Sequence, residues 1–176
     1  YLSSTFDKLI EYPLPTALLA GDTIMLPDYV QSLFVTGTGT GVYITRDVWR
    51  FSGSLDYSQI LTTSLATAFE FSKDGNTVWV GTRTGQLFRV TNLDSAYTED
   101  ELDMNSPDFK LDVTQVTSGT GSIITDISVD VNDPNKVAFT AGGAGGGGNI
   151  FYSSNAEGAT PTFAAKDGNL PTYAAF

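Results

Sequence analysis

With 176 residues, 41% of them hydrophobic and 12% aromatic, the chain is long enough to bury a real core and is read as one domain. Nine Lys and Arg against twenty Asp and Glu leave a formal charge of −11, and the basic residues are spread singly from Lys8 to Lys166, which argues against nucleic acid or an anionic membrane surface as a partner. Cysteine and histidine are both absent, which excludes disulfides, thiolate chemistry, the usual zinc ligand sets and every Ser-His or Cys-His nucleophile pair.

No stretch approaches the roughly 20 apolar residues of a membrane-spanning helix, and "PTALLAG" is too short for a signal-peptide core. Along the chain, short spans of alternating apolar and polar residues are bounded by Gly, Asn, Asp and Pro, while apolar residues at helical spacing do not recur. The pattern predicts an all-β chain. Its clearest strands are "ATAFEF" (66–71), "TVWVGT" (77–82), "QLFRVT" (86–91), "ITDISVDV" (124–131) and "KVAFTA" (136–141). "KDGN" at 73–76 supplies Asp-Gly for a hairpin, and "NDPN" at 132–135 places Pro at the second position of a turn.

One word occurs three times: "LFVTGTGTGVYITRD" from Leu33, "VWVGTRTGQLFRVTN" from Val78 and "VAFTAGGAGGGGNIFYSSN" from Val137. Each is an apolar strand, a Gly/Thr turn and a second strand with an aromatic residue near its start. Aligned as words, Val35 falls on Val80 and Val80 on Phe139, with an acidic insert near "LDSAYTEDELDMNSPDFK" lengthening the second interval. Units of about 40 to 50 residues with several strands each are the signature of propeller blades, whose sheets hide apolar faces only by stacking. The expected architecture is an incomplete β-propeller of about three four-stranded antiparallel blades, with repeats near 17–64, 65–122 and 123–170 and the start of another at 171–176. Closing a propeller takes at least four blades, so a longer polypeptide is expected. A small β-sandwich is the alternative, and it does not explain the triplicated hairpin. The six glycines in 142–148 are read as a hairpin tip, where length and composition vary without touching the core.

The stretch from Ile124 to Phe176 resembles a blade of the BNR or sialidase-type and sortilin-like propellers. The resemblance rests on Ile127, Val129, the 132–135 turn, Val137, Phe139, the "IFYSS" strand from Ile150, and "SSNAEGATPTF" as a degenerate Asp-box. In that box Asn155 stands in the place of the Asp, Gly158 fits, and Phe163 replaces the Trp. "GNLP" and the Tyr-Ser-Ser-Asn hairpin are also similar to large secreted propeller proteins of Bacteroidetes exported by the type IX secretion system, although no sorting domain is present. The resemblance implies an extracellular or cell-surface protein, with the other blades of the same polypeptide and a protein or glycan ligand as partners.

Some propellers of this group are glycoside hydrolases, whose two acids must flank the scissile bond. The candidates are Asp47, Asp126 and Asp130, the last two four apart in a strand and so on one face. Asp130 is equally suited to accepting backbone N–H groups in an Asx turn, which is the favoured reading. The arginines lie singly, so no carboxylate-binding cluster of the sialidase kind is expected, and Arg83 reads as a solvated turn residue. Calcium is the metal that the oxygen-rich insert would suit, through Asp94, Asp100 and Asp103, but the insert lacks a spaced D-x-D-x-D-G loop and a solvated acidic loop is favoured. Trp79 reads as core. Trp49 and Arg50 are kept as a contact surface for a ligand. The functional expectation is a non-catalytic recognition or scaffold module without a cofactor. The alternatives are a hydrolase completed by blades outside this segment and a structural spacer in an adhesin.

Overall fold

The computed structural model describes residues 33–46, 55–117, 119–142 and 149–169. Asp47, Trp49, Arg50, the glycine run from 143 to 148 and the segments 1–32 and 170–176 lie outside the described residues.

Among the described residues, eleven strands form three antiparallel sheets in which sequence neighbours pair. Sheet 1 holds β1 (Phe34–Gly37), β2 (Gly41–Thr45) and β3 (Ser58–Thr62). Sheet 2 holds β4 (Ala66–Phe71), β5 (Val78–Thr82), β6 (Leu87–Thr91) and β7 (Asp112–Thr117). Sheet 3 holds β8 (Ile123–Asp130), β9 (Asp133–Gly142), β10 (Ile150–Ser153) and β11 (Ala164–Ala165). The described helical structure is a 3-10 turn at Leu93–Ser95 and the four-residue α1, Glu99–Leu102. The all-β expectation is met: β-branched and aromatic residues fill the pleats, and turn residues punctuate them.

The hairpins follow from local chemistry. Between β4 and β5, Gly75 adopts φ 71°, and Asp74 accepts from the Asn76 N–H (3.1 Å) and the Ser72 hydroxyl (2.5 Å). The turn between β8 and β9 sits earlier than the sequence suggests. Asp130 pairs with Asp133 across Val131 and Asn132, so β9 already runs through Pro134. The Asp130 carboxylate accepts the Asn132 N–H at 2.8 Å, which shortens the turn, and Pro134 is tolerated near the strand's start.

Two apolar layers hold the sheets together. Between sheets 1 and 2 lie Val35, Val42 and Ile44 against Val78, Val80, Phe88 and Val90. Between sheets 2 and 3 lie Trp79 and Leu87 against Ile124, Ile127, Val137 and Phe139. Trp79 is 1% exposed and meets the Phe163 ring edge to face at 6.4 Å, while Phe139 stacks on Phe151 at 4.9 Å.

The sheets meet through a repeated close approach of backbones. Added to Gly37, a Cβ would stand 2.7 Å from the Cβ of Ala66 at the start of β4, and on Gly81 it would stand 2.4 Å from the Cγ2 of Ile124 in β8. Only glycine admits the next sheet's first strand so near. Gly37 and Val35 share one face and Gly81 and Trp79 share another, each turned toward the following sheet. In packing, Val35 therefore corresponds to Trp79 and not to Val80, one residue off the alignment of words. The slip arises because the loop joining β5 to β6 is one residue longer than that joining β1 to β2.

The insert between β6 and β7 is more than a solvated loop. Leu93, Ala96, Leu102 and Leu111 are buried in the layer shared with sheet 1, while Asp94, Glu99, Asp100 and Asp108 are exposed. Ser58 of β3 donates to the Glu99 carbonyl (3.0 Å), and the Met104 N–H donates to the Gln59 carbonyl (2.7 Å), so the insert also covers the outer strand of sheet 1.

Candidate functional site

Because each sheet is a meander, its turns alternate between two rims. One rim carries the connections β1–β2 and β5–β6, the end of β9 and the start of β10, together with the links between sheets. It is rich in Gly, Ser and Thr: Ser64 and Thr84 share a hydroxyl bond at 3.0 Å, and the Thr120 N–H donates to the Gly85 carbonyl at 3.1 Å. The opposite rim carries the β4–β5 and β8–β9 turns, the insert and the Asn155 turn, and most described acids, Asp74, Asp94, Asp103, Asp133 and Glu157 among them. Glu157 is pushed above the usual carboxylate range by burial and by Asp74, with Arg89 pulling the other way.

Two arginines on this rim bridge successive sheets. Arg46, following β2, donates to the Leu93 and Ala96 carbonyls of the sheet 2 insert and lies 5.7 Å from the Tyr97 ring centre. Arg89 in β6 donates to the Ala156 carbonyl at 2.7 Å and the Gly158 carbonyl at 3.3 Å in sheet 3. Both side chains are thereby committed to main-chain oxygens. Arg83, in contrast, is exposed at its turn.

The Asn155 turn is a dense hydrogen-bond centre. The Asn155 amide oxygen accepts from the Thr162 N–H (3.0 Å), the Thr162 hydroxyl (3.1 Å) and the Ser153 hydroxyl (3.0 Å), and its amide nitrogen donates to the Thr160 carbonyl. This closes the loop so that Phe163 lands on Trp79 and Phe139. Asn155→Ala is expected to lower stability by about 1–3 kcal/mol in urea melts, because it strands several donors at once, while Asn155→Asp, which keeps the acceptor, loses less.

The hydrolase candidates do not form a pair. Asp126 and Asp130 both lie on the exposed face of β8, but four residues of strand separate them by about 13 Å, beyond the roughly 9.5 Å of the widest glycosidase pairs. Asp130 is further engaged by its turn. The calcium candidates are dispersed. The Asp94 N–H donates to the Asn76 side chain, Asp100 lies in α1, and Asp103 accepts from the Asn105 N–H and side-chain amide, both at 2.9 Å. Among the described residues no group of three or more acids is placed to hold a metal ion. No helix among them is long and apolar enough to cross a membrane.

The insert does contain one perturbed acid that sequence reading passed over. Glu101 closes a capping box with Thr98, accepts the Tyr97 N–H at 2.7 Å and pairs with Lys110. The Lys110 hydrogen bond first, then the Tyr97 and Thr98 amides, hold it at about 2 instead of the usual 4.5. A carboxylate lowered on folding stabilises the fold above its unfolded value, and that contribution is lost as pH falls. Acid titration is therefore expected to loosen the insert between about pH 4.5 and 2, and Glu101→Gln should flatten the stability profile across that window, read by amide exchange at Leu102 and Lys110. The signal in the sequence is Thr98 followed three residues later by Glu101.

No family model matches the chain, and no curated protein matches its sequence.

Proposed function

We propose that this chain is part of a β-propeller of the Asp-box kind and acts as a non-catalytic recognition or scaffold module of an exported or cell-surface protein. The observation that carries the reading is the repeated junction between sheets: a glycine on one sheet receives the first strand of the next, and an arginine reaches the next sheet's outer loop. Such a succession suits sheets ranged around an axis, with further sheets supplied by the same polypeptide. The Asn155 turn, with Phe163 packed beneath it, supports the Asp-box likeness. Export by type IX secretion is the companion reading, drawn from the likeness to secreted Bacteroidetes propellers, and cell fractionation tests it.

Binding is preferred to hydrolysis because Asp126 and Asp130 stand too far apart to flank one glycosidic bond. Ligand contact falls to the rim loops, and no resident cofactor is required. Glycan-array binding and hydrolysis of sialosides and β-glucans, both measured on the full polypeptide, test this reading. Binding without turnover is the expected result. Turnover abolished by Asp126→Asn or Asp130→Asn would overturn it in favour of a hydrolase.

A further inference from the structure

The two junctions between sheets share a device that the far face of sheet 3 lacks. The register makes the correspondence explicit. Ala68 pairs with Gly81 just after a bulge at Thr67, and Asp126 pairs with Thr140 just after a bulge at Thr125. Thr140 thus occupies the position of Gly81, and Asp126 that of Ala68.

At the junction of sheets 2 and 3, glycine leaves room for β8, and the Thr67 hydroxyl donates across to the Ile124 carbonyl at 2.6 Å. On sheet 3 the same room is filled. Thr140 carries the Cβ that Gly81 lacks, and its hydroxyl lies 2.8 Å from that of Thr125, taking the place of a carbonyl from a following strand. The side chains that bridge the junction change in step: the buried Trp79 becomes Ala138 across the pairing, and the Arg89 that reaches sheet 3 becomes Tyr152. Asp126 and Ser128 are exposed on this face, whereas Ile127 and Val129, which alternate with them, are buried toward sheet 2. Two changes thus point the same way: Thr140 fills the room and takes up the Thr125 hydroxyl, and Asp126 makes polar the position that Ala68 keeps apolar.

We infer that the face of sheet 3 turned away from sheet 2 is an open polar surface at which the close succession of sheets is interrupted. Any sheet that follows stands off from it. A Cβ at this position needs a first strand displaced from the place that β8 takes on sheet 2, and an unpaired Asp126 carboxylate would be costly to bury there.

These 176 residues hold no cysteine, so a thiol introduced among them is read directly once any cysteine elsewhere in the polypeptide is replaced by serine. In the full polypeptide, Asp126→Cys and Ser128→Cys are expected to react with a maleimide within about tenfold of the rate of Val131→Cys, an exposed turn position. Ala68→Cys, the counterpart buried between sheets 2 and 3, should react at least about 100-fold more slowly, with Val80→Cys as the buried reference if Ala68→Cys unfolds. Asp126→Cys and Ser128→Cys thiols protected as strongly as the buried reference would show a covering sheet and overturn the inference, while leaving the propeller reading intact.

Discussion

Trp79→Ala is expected to lower the unfolding free energy by about 3–5 kcal/mol, the cost of a large aromatic removed from a fixed core. Trp79 is 1% exposed, and its ring is held between sheet 2 and the aromatic group of Phe139, Phe151 and Phe163. The loss combines apolar transfer with a cavity that cannot collapse, because the Ile124 side chain already lies against the Gly81 backbone and sets the spacing of the two sheets. Trp79→Phe keeps a ring against Phe163 and should lose less. Urea denaturation measures both, and a loss below about 1 kcal/mol for the alanine variant would contradict the placement of Trp79 at the centre of the layer.

Gly81→Ala separates two effects of opposite sign. In an unconstrained strand, alanine would gain about 0.5–1 kcal/mol over glycine by restricting the unfolded chain. Here the new methyl would stand 2.4 Å from the Ile124 Cγ2 and 2.8 Å from its Cβ. Those atoms branch directly from the β8 backbone, so relief requires moving a strand, at about 1–3 kcal/mol. The clash wins, and a net destabilisation is expected. Gly39→Ala is the matched control: a Cβ at Gly39 meets nothing within 4 Å, so the substitution should be neutral or mildly stabilising.

The strands were legible in the sequence because period-2 alternation survives in them, as in "ITDISVDV", where buried Ile127 and Val129 alternate with exposed Asp126, Ser128 and Asp130. Trp79 was legible as core from its place between Val78 and Val80. The packing role of the insert was not, since Leu93, Ala96, Leu102 and Leu111 are scattered among acids with neither a helical nor a strand period, and tertiary contact alone gathers them. Arg46 and Arg89 were equally hidden: their acceptors are backbone carbonyls that lie 47 to 69 residues away and carry no sequence signature. The one-residue slip between Val35 and Val80 has the same origin. Both words are apolar, and only the direction that each side chain faces tells them apart.

For the candidate site, residue type indicated Asp126 and Asp130 as acids on one face of a strand. Their separation along that strand, together with the Asn132 turn, removes the pair from hydrolytic geometry. The equivalence of Thr140 with Gly81 follows already from the words, which set Val80 on Phe139, and the pairing register agrees, with bulges at corresponding places, Thr67 and Thr125.

The stacking of one sheet on the next through a glycine is tested most directly by a double-mutant cycle between Gly81→Ala and Ile124→Ala, read by urea denaturation. Ile124→Ala removes the Cγ2 that the new methyl meets at 2.4 Å, so the double variant is expected to recover at least about 0.5 kcal/mol relative to the sum of the single losses. Strict additivity would place β8 away from Gly81 and contradict the face-to-face junction of sheets 2 and 3.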